Sequence, residues 1–152
     1  MTQTDIFAKH TQKAKEWLNQ IEERAGSDDS KKSFAALRAT LHRLRDNLPI
    51  ETVLHLNAQL PLIIKGILVE NWHPSECLIK DKKFEVFLDG VEEEFHNVDV
   101  DVEIWIYAVL QVLSSHISQG EIEKIRAVLP REIRELWEAA LLFENEYTSA
   151  IT

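Results

Sequence analysis

Cysteine is almost missing from this chain: Cys77 is the single one among 152 residues. A lone thiol excludes an internal disulfide and a zinc site built on several thiolates. Glycine and proline are scarce as well, four of each, too few for a disordered, collagen-like or turn-rich all-β chain. No apolar run approaches the ~20 residues that span a bilayer; the longest is Ile104–Leu110. Met1–Phe7 has neither a basic start nor an apolar stretch, so no secretory signal is expected. A Gly-rich phosphate loop, a Gly-x-Ser-x-Gly elbow and a CxxC pair are also lacking, and with them the sequence signs of nucleotide binding, hydrolase and thiol-redox chemistry. These absences lead to the expectation of a cytoplasmic chain without a membrane segment, folded as one domain over residues 1–152.

The rest of the composition is that of a folded protein, with 45% hydrophobic and 28% charged residues. At this length roughly 70% of the unfolded surface is buried on folding, so one core suffices. The 17 basic and 26 acidic residues give a net charge of −9, unevenly spread. Residues 1–75 hold 10 basic and 9 acidic groups, net +1, and residues 76–152 hold 7 and 17, net −10. An acidic half repels a phosphate backbone, so no nucleic-acid partner is expected. The basic stretch Lys31, Lys32, Arg38, Arg43, Arg45 reads as a solvated helix face.

A shift of 69 positions lays residues 37–68 on residues 106–137 and makes seven pairs identical: Ala39/Ala108, Leu41/Leu110, Leu44/Leu113, Ala58/Ala127, Leu60/Leu129, Pro61/Pro130 and Ile64/Ile133. Chance supplies roughly two at ordinary residue frequencies. Leu37/Ile106, Leu48/Ile117, Val53/Ile122, Leu56/Ile125 and Ile67/Leu136 keep apolar character, and a shift of 70 lays Trp17-Leu18 on Phe87-Leu88 and Ile21 on Val91. The chain therefore reads as two copies of one unit, over approximately residues 5–74 and 81–147.

Each unit has the spacing of three helices. Phe7, Ala14, Trp17, Leu18 and Ile21 recur at helical intervals, with Gly26 placed for a left-handed cap. Asp28, Asp29 and Ser30 are suited to cap the next helix, whose stripe is Phe34, Leu37, Leu41, Leu44, Leu48. The third helix is expected to start near Pro49, and its counterpart at the capping-box pattern Ser118-Gln-Gly-Glu121. Pro61 and Pro130 fall twelve residues further on in each copy. An interior proline loses a hydrogen bond and clashes with the preceding turn, so a bend or break is expected at both. The last segment, from Pro130 to about Tyr147, is expected to bury Ile133, Leu136, Trp137, Ala140, Leu141 and Phe143 and to be the longest. The expected fold is all-α: two pseudo-symmetric three-helix repeats packed as one bundle.

The second helix of the later copy carries an extra apolar stripe, Trp105, Val109 and Val112, where the earlier copy has Ala36, Thr40 and Arg43. A helix apolar nearly all round must be covered on both sides. Either it is central, the preferred reading, or Trp105, Val109 and Val112 form an interface with another subunit.

Polar candidates are few. Arg38, His42, Arg45 and Asp46 share one helix, with Arg38–His42 and His42–Asp46 at pairing distance in sequence. With Gln59 and Lys65 they are the candidates for a polar cleft, against the preferred reading of a solvated face. The triples Glu70-Asn-Trp-His73 and Glu93-Glu-Phe-His96 have the spacing of di-iron helix ligands. Pro74 disfavours helix at His73, and surface histidines among abundant acids are the preferred account. Asp99-Val-Asp101-Val-Glu103 lacks the glycine and glutamate of a calcium loop and reads as a helix start. Cys77 lies four residues after His73 with nothing to orient a base, so it reads as an inert thiol. Trp72 reads as an anchor for its connector. No catalytic residue, metal ligand or cofactor is assigned.

The stretch Leu37–Pro49, followed by Ala58-Gln-Leu-Pro61, Gly66 and Trp72-His-Pro74, resembles the bacterial domain-of-unknown-function family 2267. Ala127-Val-Leu-Pro130 echoes its Ala-Gln-Leu-Pro element. The resemblance runs strongly over 34–74 and more weakly over 84–137, with Asn57 and Asn71 where smaller residues, usually glycine, are expected. It implies an all-helical prokaryotic protein without an established activity, and it supplies no catalytic residues. The expected function is a non-enzymatic interaction or scaffold module with an unidentified protein partner. A homodimer, in which the basic helix of one chain meets the acidic half of another, is one form of it. The alternative is a small-molecule or metal-binding protein with a polar cleft between the repeats.

Overall fold

A computed structural model describes residues 2–74, 84–95 and 101–151, apart from the side chains of Thr4 and of residues 145–151. Cys77, His96 and Asp99 lie outside the described residues, and so do the readings placed on them.

Local chemistry sets the helix ends. Helix α1 (Gln3–Ala25) opens on a capping box between Thr2 and Asp5 and closes at Gly26, whose φ of 69° lets its N–H turn back to the Glu22 and Glu23 carbonyls. Helix α2 (Ser30–Asp46) starts at Asp29, whose carboxylate accepts from the Lys31 and Lys32 N–H groups at 3.0 and 3.2 Å. Pro49 precedes α3 (Ile50–Ala58) and Pro61 precedes α4 (Leu62–Val69), both with extended backbone. Proline suits such a place because the first turn of a helix has no use for its missing N–H. Helix α5 spans Phe84–Phe95, and α6 (Val102–His116) is capped by Asp101. Helices α7 (Gln119–Val128) and α8 (Arg131–Ile151) are separated around Pro130. At that break Arg134 reaches back, donating to the Arg126 and Leu129 carbonyls at 2.8 and 3.0 Å. The longest helix is α1, with 23 residues against 21 for α8, which corrects the expected ranking. Among the described residues all eight helices are α-helical, no strand occurs, and no helix is long and apolar enough to cross a membrane.

The two sets of four helices exchange partners. Helix α1 packs on α2 and α6, and α5 packs on α6 and α2; α4 lies on α2 and α1, and α8 on α6 and α5. Across the middle, α2 meets α6 and α3 meets α7. Both α2 and α6 are therefore covered on several sides, and the buried apolar side chains from Trp17 to Ala140 form one continuous cluster. Leu41, Leu44, Leu110, Leu113, Ile64 and Ile133 are all buried in it, whereas Ala58 and Ala127 are exposed in both halves.

Three aromatics depart from expectation. Phe7, Phe34 and Phe143 are 65, 44 and 44% exposed. In the first turn of α2 it is Ser33 that turns inward, donating to the Glu22 carboxylate of α1 at 2.8 Å, so Phe34 points away from that contact. Phe143 instead sits beside Tyr107, ring centroids 5.8 Å apart. Trp105, Val109 and Val112 are buried within the chain at 5, 0 and 0% exposure. Their face is covered by the chain's own helices, as a central helix requires.

Candidate functional site

Helix α4 ends after eight residues, and its last carbonyls need donors from elsewhere. They find them on α2. The His42 Nε2–H donates to the Ile67 carbonyl at 2.7 Å, while Nδ1 faces Glu94 Oε1 of α5 at 3.3 Å. Arg45 Nη1 donates to the Leu68 and Glu70 carbonyls at 2.9 and 2.8 Å, and its Nε to Asp46 Oδ1 at 2.9 Å. Arg38 donates from Nε to Glu70 Oε1 at 2.7 Å. A cation at a helix C-terminus also complements the helix dipole. The chain leaves α4 through Asn71, whose φ of 54° is left-handed; after glycine, asparagine tolerates this conformation best. Trp72 then packs half-buried against the core, its N–H donating to the Val69 carbonyl.

All four candidates of the polar cleft thus meet along one seam, but as its fasteners. His42 and Arg45 are 4 and 5% exposed, so this is no solvated face. The pairs Arg38–His42 and His42–Asp46 do not form; Arg38 is spent on Glu70 and Arg45 on the α4 carbonyls and its neighbour Asp46. The reason is energetic: an unmatched buried carbonyl costs about 1–3 kcal/mol, several times the ~0.3–0.5 kcal/mol of a surface i,i+4 pair. Gln59 lies elsewhere. From the end of α3 it accepts from the Ser118 N–H at 3.0 Å, taking the place that Glu121 would hold in a full capping box.

A matching seam joins α6 to α8. By the shift of 69, His42 corresponds to Gln111 and Arg45 to Ser114. Buried Gln111 donates to the Ala140 carbonyl at 2.9 Å, and Ser114 Oγ accepts from Trp137 Nε1 at 2.8 Å. Helix α8 runs on past this point, so its carbonyls are used internally and no arginine is needed. Neither Gln111 nor Ser114 was among the sequence candidates; their signal was alignment with His42 and Arg45.

The outer surface of α3 and α4 is of another kind. Ile50 and Leu54 of α3 are 51 and 52% exposed and Leu62 of α4 is 56% exposed, and Ala58, Ile63 and Gly66 of the same two helices are exposed as well. Shifted by 69, these six become Gln119, Glu123, Ala127, Arg131, Glu132 and Glu135, also exposed. At five of the six positions, all but the shared alanine, the first half shows an apolar residue or glycine where the second shows a charged or polar one. On α3 the four-residue step Ile50, Leu54, Ala58 was the available sign, hidden because an exposed stripe and a buried one have the same period.

His116 of α6 stacks on buried Trp17 of α1, centroids 4.5 Å apart, with Nε2 2.7 Å from Gln20 Oε1. Burial, then the positive charges of Lys13 and Arg24, hold its pKa below the ordinary histidine value. His73 is exposed, and its partner in the triple, Glu70, is held by Arg38. Among the described residues no group of three or more histidine, cysteine or acidic side chains is placed to hold a metal ion.

The protein is thus an all-helical bundle of two partner-exchanging halves, each fastening its second helix to its fourth through a polar seam. Residues 14–136 match the family model for an uncharacterized conserved protein, domain-of-unknown-function family 2267, and the chain belongs to that family. A comparison with curated proteins gives no match.

Proposed function

We propose that the protein is a non-enzymatic interaction module, built from two copies of one helical unit whose surfaces have diverged, and that it engages a protein through the α3–α4 face. The observation that carries this reading is the exposed set Ile50, Leu54, Leu62 and Ile63, set against charged or polar residues at the matched positions of the second half. Contiguous exposed apolar groups are disfavoured on a free surface and mark contacts. The reading that places a small molecule or metal at Arg38, His42, Arg45 and Asp46 draws no support from side chains already committed to backbone carbonyls. The lone cysteine accords with a reducing cytoplasm, and the acidic second half argues against nucleic acid.

The test is affinity capture from the native host with the wild type and with the variant Ile50→Gln/Leu54→Glu/Leu62→Arg, which writes the second half's residues onto the first. Proteins retained by the wild type and lost by the variant, at unchanged thermal midpoint, are the expected result. Identical captures by both overturn the assignment of the face.

A further inference from the structure

We infer that the α3–α4 face, together with the exposed start of α1, is a two-fold interface with a second copy of this chain. The inference rests on the reading above and names the partner. Before Trp17, no described side chain of α1 is buried, so roughly 20 Å of helix, at 1.5 Å per residue, lies outside the core. It carries Ile6 and Phe7, 49 and 65% exposed. A groove of about 530 Å³ joins it to the apolar face, lined by Lys9, His10 and Lys13 on one side and Gln59, Pro61 and Leu62 on the other. Leu62 thus lies on the α4 side of this groove, and on its α1 side Ile6 precedes His10 by about one helical turn.

Charge selects the occupant. A two-fold contact must complement itself, so both signs have to occur on one patch. They do: Lys9 and Lys13 line the groove together with Glu16. Residues 1–75 have a net charge of +1, so two first halves approach without repulsion, whereas two second halves at −10 each repel. The matched positions of the second half hold Glu123, Arg131, Glu132 and Glu135 and offer no large apolar side chain to a partner. Size agrees as well. A stable contact needs about 600 Å² from each copy, the scale that six large, half-exposed apolar side chains supply. Exposed Ala58, one turn after Leu54 at the end of α3, lets a partner helix come close.

This differs from a dimer in which the basic α2 meets an acidic half. Arg38 and Arg45 are already paired inside the chain, and the Arg43 guanidinium lies against α5 in the space left by Gly90.

Sedimentation equilibrium of the full chain, up to millimolar concentration, tests the inference. The wild type is expected to be a dimer, and Ile50→Gln/Leu54→Glu/Leu62→Arg to weaken association about 100-fold or more, the loss of at least 2.8 kcal/mol of apolar contact. Leu54→Glu alone serves if the triple variant has a lowered thermal midpoint, and Leu142→Glu, on the exposed part of α8, is expected to leave the dimer intact. A wild type monomeric throughout, or a Leu54→Glu variant as dimeric as the wild type, overturns the inference. A monomeric wild type whose captured proteins still depend on the face removes the second copy as partner and leaves the interaction module. Captures and association both indifferent to the face remove both.

Discussion

Helix α2 keeps polar groups inside, and α3 and α4 after it show apolar ones outside; in α6 and at the matched positions of α7 and α8 the distribution is reversed. Ser33, Thr40, His42 and Arg45 are buried on α2, whereas α6 buries Trp105, Val109 and Val112 with Gln111 as its buried polar side chain. Outside, Ile50, Leu54 and Leu62 stand against Gln119, Glu123 and Arg131. The apolar framework is shared, since Leu41, Leu44, Leu110 and Leu113 are equally buried. At His42 and Arg45 the difference follows from where the fourth helix stops. Helix α4 ends at Val69 and leaves carbonyls for His42 and Arg45 to meet, while α8 continues to Ile151 and needs only Gln111 and Ser114. Two buried polar side chains of α2 thus answer to a short helix.

The largest effects are expected where the halves are alike. Leu44→Ala and Leu113→Ala each remove a fully buried leucine and are expected to cost about 3 kcal/mol in urea unfolding. Because each half covers the other's central helix, both variants are expected to unfold in one transition. Two transitions would show that the halves are separately stable.

Arg45→Met and Ser114→Ala sharpen the contrast between the seams. The first leaves the Leu68 and Glu70 carbonyls without their donor and is expected to cost about 2–3 kcal/mol, with faster amide exchange at the end of α4. The second costs about 1 kcal/mol, since only the Trp137 indole loses an acceptor. Equal costs would contradict the role given to the early end of α4. Gln59→Ala, which breaks the bridge to Ser118 between the halves, is expected to cost about 0.5 kcal/mol because that contact is exposed.

The smallest effect is a pH dependence at the α1–α6 contact. His116 titrates lower when folded than when unfolded, so the unfolded chain takes up its proton first as the pH falls. The histidine's contribution is whole above its ordinary pKa of 6.5 and is lost as the pH falls from there through the folded value. His116→Gln is expected to flatten the midpoint-against-pH curve in that range; an unchanged curve would remove the assignment.

The all-helical class was legible because α-helical periodicity, the glycine at 26 and capping residues such as Asp29 and Ser118 act within a few residues of themselves. The polar seam was legible only in part. Arg38, His42, Arg45 and Asp46 could be picked out as neighbours on one helix, but their partners Ile67, Leu68, Glu70 and Glu94 lie 23 to 52 residues away. Phe7, Phe34 and Phe143 have the helical spacing of buried residues and are exposed. A period reports which residues share a side; it does not report whether anything covers that side.

By itself, then, the sequence determined the helices, their capped ends at Gly26, Asp29 and Ser118, and the matched leucines, all matters of local sterics and hydrogen bonding. The tertiary structure alone decided that α1 covers α6 and α5 covers α2, that Arg45 serves α4, and that Ile50, Leu54 and Leu62 are left facing outward. Those outcomes depend on which surfaces meet, and burial is a property of pairs of elements brought together from distant parts of the chain.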